Sequence, residues 1–130
     1  MAENFSLLHA SLLVADLARA RAFYEGILGL DPSPARPVMS FDGVWYDLGR
    51  GQIHLINLPN PDPVTGRPDH GGRDRHLALH VQDLDGLAGR LEQAGIPYSR
   101  SRSGRAALFC RDPDANALEF IPAPSPAGEK

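Results

Sequence analysis

Leu8-His9-Ala10-Ser11-Leu12-Leu13-Val14-Ala15-Asp16-Leu17 is echoed further along the chain by Arg75-His76-Leu77-Ala78-Leu79-His80-Val81-Gln82-Asp83-Leu84, sixty-seven residues later. Each copy sets a histidine near the start of an alternating apolar run and closes on Asp-Leu ahead of an amphipathic stretch. A second echo pairs Gln52-Ile53-His54-Leu55-Ile56 with Ala117-Leu118-Glu119-Phe120-Ile121, sixty-five residues apart. Ionisable side chains thus return at equivalent places inside apolar strands, where an unpaired polar group is costly. Two such units packed about a pseudo-twofold would bring His9, His54, His76 and Glu119 together, and these are donor types that a divalent metal prefers.

Around these echoes the chain reads as a duplicated βαβββ unit. Residues 7–14 alternate as a strand, Asp16 is placed to cap a helix, and apolar positions recur at helical spacing through 17–28 until Gly29. Pro32, Pro34 and Pro37 mark an irregular connection, followed by strand-like segments at 38–41, 43–48 and 52–58. A stretch rich in Pro, Gly and polar residues runs from Pro59 to Asp74 and reads as a linker or pocket-covering loop. The order then restarts: strand 76–81, a helix of about 84–94 stopped by Gly95, and strands near 97–100, 105–110 and 117–121. The expected layout is a single α+β domain over 1–124. It holds units of about 5–59 and 75–122, a linker of about 60–74 and a flexible tail at 123–130.

At 130 residues the chain suits one domain with a real core. A net charge of −3 and a pI near 5.9 lack the basic footprint of nucleic-acid or anionic-membrane binding, leaving small molecules or proteins as partners. A single cysteine, Cys110, allows no internal disulfide, and no apolar run approaches the ~18 residues of a membrane helix. A cytoplasmic setting is expected.

Among the chemistry-bearing residues, Glu119 stands out, because a carboxylate between Leu118 and Phe120 in a strand needs a cation. A divalent ion meets that need, and so does an arginine such as Arg105 or Arg111. His9 and His76 taken singly read as hydrogen-bonded core residues, and their symmetric recurrence turns the balance towards metal. His54, at the position equivalent to Glu119, is a fourth ligand or a pocket residue behind the other three. Arg100, Arg102 and Arg105, and likewise Arg73, are either solvated turns or clamps for a substrate anion. Trp45 and Tyr98 are candidates for an apolar pocket wall, the substrate pocket thus being assigned to Trp45, Tyr98, Arg73 and Arg105. Asp112-Pro113-Asp114-Ala115-Asn116 has turn chemistry, and Cys110 reads as a buried, inert thiol.

The segments His9–Leu17, Ala22–Leu30, His76–Leu84 and Asp112–Glu119 together resemble the vicinal oxygen chelate superfamily, which includes glyoxalase I, bleomycin resistance proteins and extradiol dioxygenases. The resemblance implies a curved, incompletely closed barrel of two βαβββ units around a metal site, with two chains pairing as a homodimer. It implies one divalent metal per site, drawn from Ni, Zn, Co, Mn or Fe(II), with His9, His54, His76 and Glu119 as ligands and Glu119 also as the proton-transferring base. The activity implied is that of a glyoxalase I-like lyase or isomerase using metal-stabilised enediolate chemistry. Its substrate would be a small oxygen-chelating molecule, such as a thiol adduct of a 2-oxoaldehyde. His54 departs from the glyoxalase pattern, which usually carries Glu there. A metal-free drug- or metabolite-sequestering protein of the bleomycin resistance type is the alternative, and an Fe(II) extradiol-type dioxygenase is a weaker one.

Overall fold

The computed structural model describes residues 4–101 and 103–124, so Arg102 and the expected tail from residue 125 onward lie outside the described residues. The chain divides into two compact units between Asp62 and Pro63.

In the first unit, strand β1 (His9–Leu13) leads to helix α1 (Leu17–Arg21), then to strands β2 (Gly43–Leu48) and β3 (Gly51–Ile56). Asp16 caps α1 as its sequence position implies, its carboxylate accepting from the Arg19 amide at 3.1 Å. The helical stretch ends near the expected place but changes pitch on the way. Residues Ala22–Ile27 form a π-helical turn, with the Leu28 amide bonded to the Phe23 carbonyl at 3.0 Å. Gly29 follows with φ +81°, the left-handed stop that glycine supplies without steric cost.

The first sheet has the order β1-β3-β2, with β1 parallel and β2 antiparallel to β3. The strand expected at 38–41 does not form. Instead a single bridge joins Pro32 to Tyr46, and the Ser33 amide reaches the Trp45 carbonyl at 2.7 Å. Prolines at 32, 34 and 37 lack the N–H groups that a ladder needs, so pairing beside β2 stops after one contact. In this unit the extra strand beside β2 is thus reduced to the Pro32–Tyr46 bridge.

The second unit holds strand β4 (His76–Val81), helix α2 (Leu84–Gln93) and strands β5 (Tyr98–Arg100), β6 (Leu108–Arg111) and β7 (Ala117–Pro122). Its sheet order is β4-β7-β6-β5, with β4 and β7 parallel, and it completes the expected βαβββ pattern. Asp83 caps α2 by accepting from the Gly86 amide, and Leu84, Leu87, Ala88 and Leu91 form its buried face. Between Pro113 and Asn116 the chain makes the expected turn: Asp112 Oδ1 accepts from the amides of Asp114 and Asn116, each at 2.9 Å. Cys110 is buried, and burial followed by the nearby Asp112 pushes its thiol up to about 12, which keeps it inert at neutral pH. Neither sheet closes on itself. Among the described residues no helix is long and apolar enough to cross a membrane.

The core of the first unit contains a polar tie. Tyr46 is fully buried, and its hydroxyl donates to Glu25 Oε2 at 2.8 Å, while Arg21 Nε donates to the same oxygen at 2.6 Å. The hydrogen bond from Arg21 holds the Glu25 carboxyl below its usual range, with Tyr46 adding to the effect. Removing the hydroxyl in Tyr46→Phe is expected to lower unfolding free energy by about 1–3 kcal/mol, as for a hydrogen bond to a charged group. The check is a urea unfolding midpoint with the fold retained. Because Glu25 has a depressed folded pKa, its contribution is complete above the unfolded carboxylate pKa and is lost as pH falls through the folded value. The gap between wild type and Tyr46→Phe should accordingly narrow on the acid limb.

Candidate metal centre

Strand register sets the two candidate half-sites. On the parallel pair β4–β7, His76 lies opposite Ala117 and Glu119 opposite Ala78, so the two side chains are diagonal neighbours on one face. On β1–β3, His9 lies opposite Gln52 and His54 opposite Ser11, the same diagonal. The equivalence of His54 and Glu119 read from the repeat is thus a matched position in each ladder.

Glu119 is 5% exposed. Its Oε1 lies 3.1 Å from His76 Nε2, and its Oε2 accepts from Arg105 Nη2 at 2.9 Å. Arg105 is therefore the arginine partner that the sequence allowed, while Arg111 is engaged elsewhere, donating to Asp74 Oδ2 and to the carbonyls of Ala115 and Pro68. The other ring nitrogen of His76, Nδ1, is 2.9 Å from the backbone carbonyl of Asp74. A carbonyl only accepts, so Nδ1 carries a proton, and Nε2 faces a carboxylate oxygen that only accepts as well. The 3.1 Å contact is made by a proton on Nε2 donating to Glu119, and a metal ion held by both groups is the other cation that suits it. The donor chemistry of this pair fits a divalent ion.

Asp74 was not singled out by sequence, hidden between Arg73 and Arg75 at the end of a loop. Its carboxylate takes Arg67 on both oxygens, each at 2.8 Å, and Arg111 at 2.9 Å, and these arginines hold it well below the usual carboxylate range. Its side chain thereby fastens the loop whose carbonyl orients His76. Only the run of arginines around it could have suggested that role.

In the first unit, His9 and His54 stack with ring centroids 4.0 Å apart and planes 12° from parallel, and Trp45 stacks on His54 at 4.1 Å and 3°. His54 Nε2 is 2.8 Å from Gln52 Oε1, while the Gln52 amide nitrogen donates to Asp47 at 2.7 Å. His54 therefore donates from Nε2 and keeps its lone pair on Nδ1. Burial, then His9 and Arg36, lower its pKa, so the ring stays neutral. A metal lies in the plane of each imidazole that binds it. Two nearly parallel rings do not meet at one ion until one of them turns to another rotamer.

A cavity of about 530 Å³ opens beside this stack, lined by His9, Arg36, Met39, Phe41, Trp45 and Gln52 among others. A second, of about 460 Å³, lies within the other unit and is lined by Tyr98, Phe109, Cys110 and Arg111 together with Val64, Asp69 and Gly71 of the loop. Tyr98 faces this second cavity and donates to Glu92 at 2.6 Å. Arg73 is exposed on a 3-10 turn, Gly71–Arg73, and lines neither cavity. Arg100 pairs with Asp85 at 3.2 Å as a surface contact. Among the described residues no three His, Cys, Asp or Glu side chains form a ready metal cluster.

The model of the Glyoxalase/Bleomycin resistance protein/Dioxygenase superfamily matches residues 6–120. The chain belongs to this superfamily. Within it, the chain is 28% identical over 121 residues to Glyoxylase I 4 of Arabidopsis thaliana, covering 88% of this chain and 69% of that protein. Among solved structures, a glyoxalase family protein from Bacillus anthracis superposes with a TM-score of 0.73 at 23% identity, covering 92% of this chain and 96% of that one. TnmS3, an antibiotic binding protein from Streptomyces sp. CB03234, gives 0.71 at 19% identity over 95% and 100%. The two structural likenesses establish a shared fold. The superfamily holds both lyases and non-enzymatic resistance proteins, so membership alone leaves catalysis and sequestration as the readings to weigh.

Trp45 is the one tryptophan of the chain, which makes the stack directly observable. Truncation in His54→Ala should uncover one face of the indole and change its emission intensity and maximum. An emission spectrum identical to that of the wild type would mean that the stack is absent in solution.

Proposed function

We propose that the protein is a divalent-metal-dependent lyase or isomerase of the glyoxalase I kind, acting on a small substrate that presents two adjacent oxygens. The observation that carries this reading is the geometry of His76. Its Nδ1 is committed to the Asp74 carbonyl, which leaves Nε2 facing Glu119 Oε1 at 3.1 Å, a pair of donor atoms suited to holding an ion in place of a proton. His76, Glu119 and His9 are the proposed ligands, and His54 joins them once its ring turns out of the stack with His9 and Trp45.

A bound divalent ion would supply Lewis-acid polarisation of the substrate oxygens. The chain's own residues do the rest. Glu119 divides its two oxygens: Oε1, beside His76 Nε2, would help hold the ion, and Oε2 would take the proton from the substrate carbon and return it to the neighbouring one. Arg105 Nη2 steadies Oε2 at 2.9 Å in the resting site. Its side chain is 63% exposed, so it can exchange that bond for one to an anionic substrate oxygen when Oε2 accepts the proton.

Metal content per chain, measured by elemental mass spectrometry on protein purified anaerobically without chelator, tests the reading. Near-stoichiometric nickel, zinc, cobalt or manganese is expected, and iron would favour oxygen-dependent ring cleavage instead. In the metal-loaded protein, Glu119→Gln should abolish turnover of a 2-oxoaldehyde thiol adduct while circular dichroism stays unchanged. Full turnover in that variant would defeat the base assignment. Asp74→Asn releases the loop behind His76 and is expected to weaken metal binding by about 10–100-fold, as for other groups that orient a ligand. A metal titration followed by Trp45 emission reads that change.

The competing reading is a metal-free protein that sequesters an aromatic molecule, favoured by the His9–His54–Trp45 stack, whose parallel rings suit a flat guest better than a chelate. A chain that stays empty after being offered each metal would defeat the first reading and leave this one as the better account.

A further inference from the structure

Arg36 sits half-buried at the edge of the 530 Å³ cavity in the first unit. Its Nη2 donates to the Phe41 carbonyl at 2.7 Å, and the guanidinium lies 5.7 Å from the centre of the Phe41 ring. Gly43 leaves it room, since a Cβ there would come within 3.1 Å of Nη2. Among the described residues no carboxylate pairs with Arg36, and the cavity lining contains neither Asp nor Glu. The cavity thus carries one formal positive charge against walls that include Met39, Phe41 and Trp45. A guanidinium has five N–H donors, and the single bond to Phe41 leaves a fork suited to two carboxylate oxygens. A partly desolvated cation without a counter-charge is costly, and an anionic ligand relieves that cost.

The stack of His9, His54 and Trp45 borders the same space and supplies a polarisable, flat aromatic wall. We propose that this cavity binds a planar organic acid, with its carboxylate held by Arg36 and its flat face laid against the His9–His54–Trp45 stack. The proposal goes beyond the function put forward above: it concerns the first unit's own cavity with His54 kept in the stack, and it stands whether or not the chain takes up a metal. Arg36 acts as the specificity-determining residue and selects anionic over neutral molecules of equal shape.

The test uses the full chain and three small probes of similar size: benzoate, benzamide and cyclohexanecarboxylate. Binding is followed by calorimetry and by Trp45 emission, with metal content measured on the same preparations. Benzoate is expected to perturb Trp45 and to bind at least about tenfold more tightly than neutral benzamide or non-aromatic cyclohexanecarboxylate. Arg36→Gln should erase the preference over benzamide, while Arg36→Lys, which keeps the charge and loses the planar fork, should retain part of it.

Equal affinity for benzoate and benzamide, or benzoate binding that survives Arg36→Gln or leaves Trp45 unchanged, overturns the proposal. Equal loss in the Gln and Lys variants overturns the charge assignment as well. Stoichiometric metal without any preference for benzoate defeats this inference alone. Arg36-dependent benzoate binding by a chain that takes up no metal upholds it and defeats the lyase reading instead.

Discussion

The parallel pairing of a unit's first strand with its last is the constraint on which the rest of each unit depends. Side chains alternate across a strand, so sliding β4 along β7 by one residue would send His76 to the opposite face from Glu119. Alternation also keeps Leu118 and Phe120 buried beside Glu119, so apolar packing holds the register that the polar pair needs. The same logic applies to β1 and β3, where buried Ile53 and Leu55 flank His54. Burial of neighbouring apolar side chains thus fixes where the ionisable ones project.

One ladder position carries different chemistry in the two units. In the second, Glu119 is a buried carboxylate whose two oxygens are divided between His76 and the guanidinium of Arg105. In the first, His54 is neutral, hydrogen-bonded through Gln52 to Asp47 and sandwiched between two rings. The same ladder position thus carries a buried carboxylate in one unit and a stacked, neutral imidazole in the other. The charge left over in the first unit belongs to Arg36, whose partner among the described residues is a carbonyl rather than an acid.

Much of this was legible from the chain. Alternating apolar runs located the strands, and Asp16, Gly29 and Gly95 marked helix ends because caps and left-handed stops are local chemistry. Less legible was the fourth strand of the first unit: residues 38–41 carry strand-like side chains, yet prolines nearby deny the sheet its donors. The pitch of the first helix was also hidden, since an apolar stripe over twelve residues is compatible with an α-helix and with an α-helix ending in a π turn. Asp74 escaped notice because its importance lies in Arg67, Arg111 and the ring of His76, partners separated from it by between two and thirty-seven residues.

By itself the sequence determined the duplicated order of elements, the residues at equivalent ladder positions and the donor types that those positions carry. These follow from periodicity and local capping, which depend on neighbours along the chain. The tertiary structure alone decided that the two ring nitrogens of His76 face the Asp74 carbonyl and Glu119, that His9 and His54 meet face to face, and that Arg36 borders a cavity without an acid. Each of these is set by atoms brought close from distant parts of a unit, and hydrogen-bond direction, ring orientation and charge balance have no signature in residue spacing.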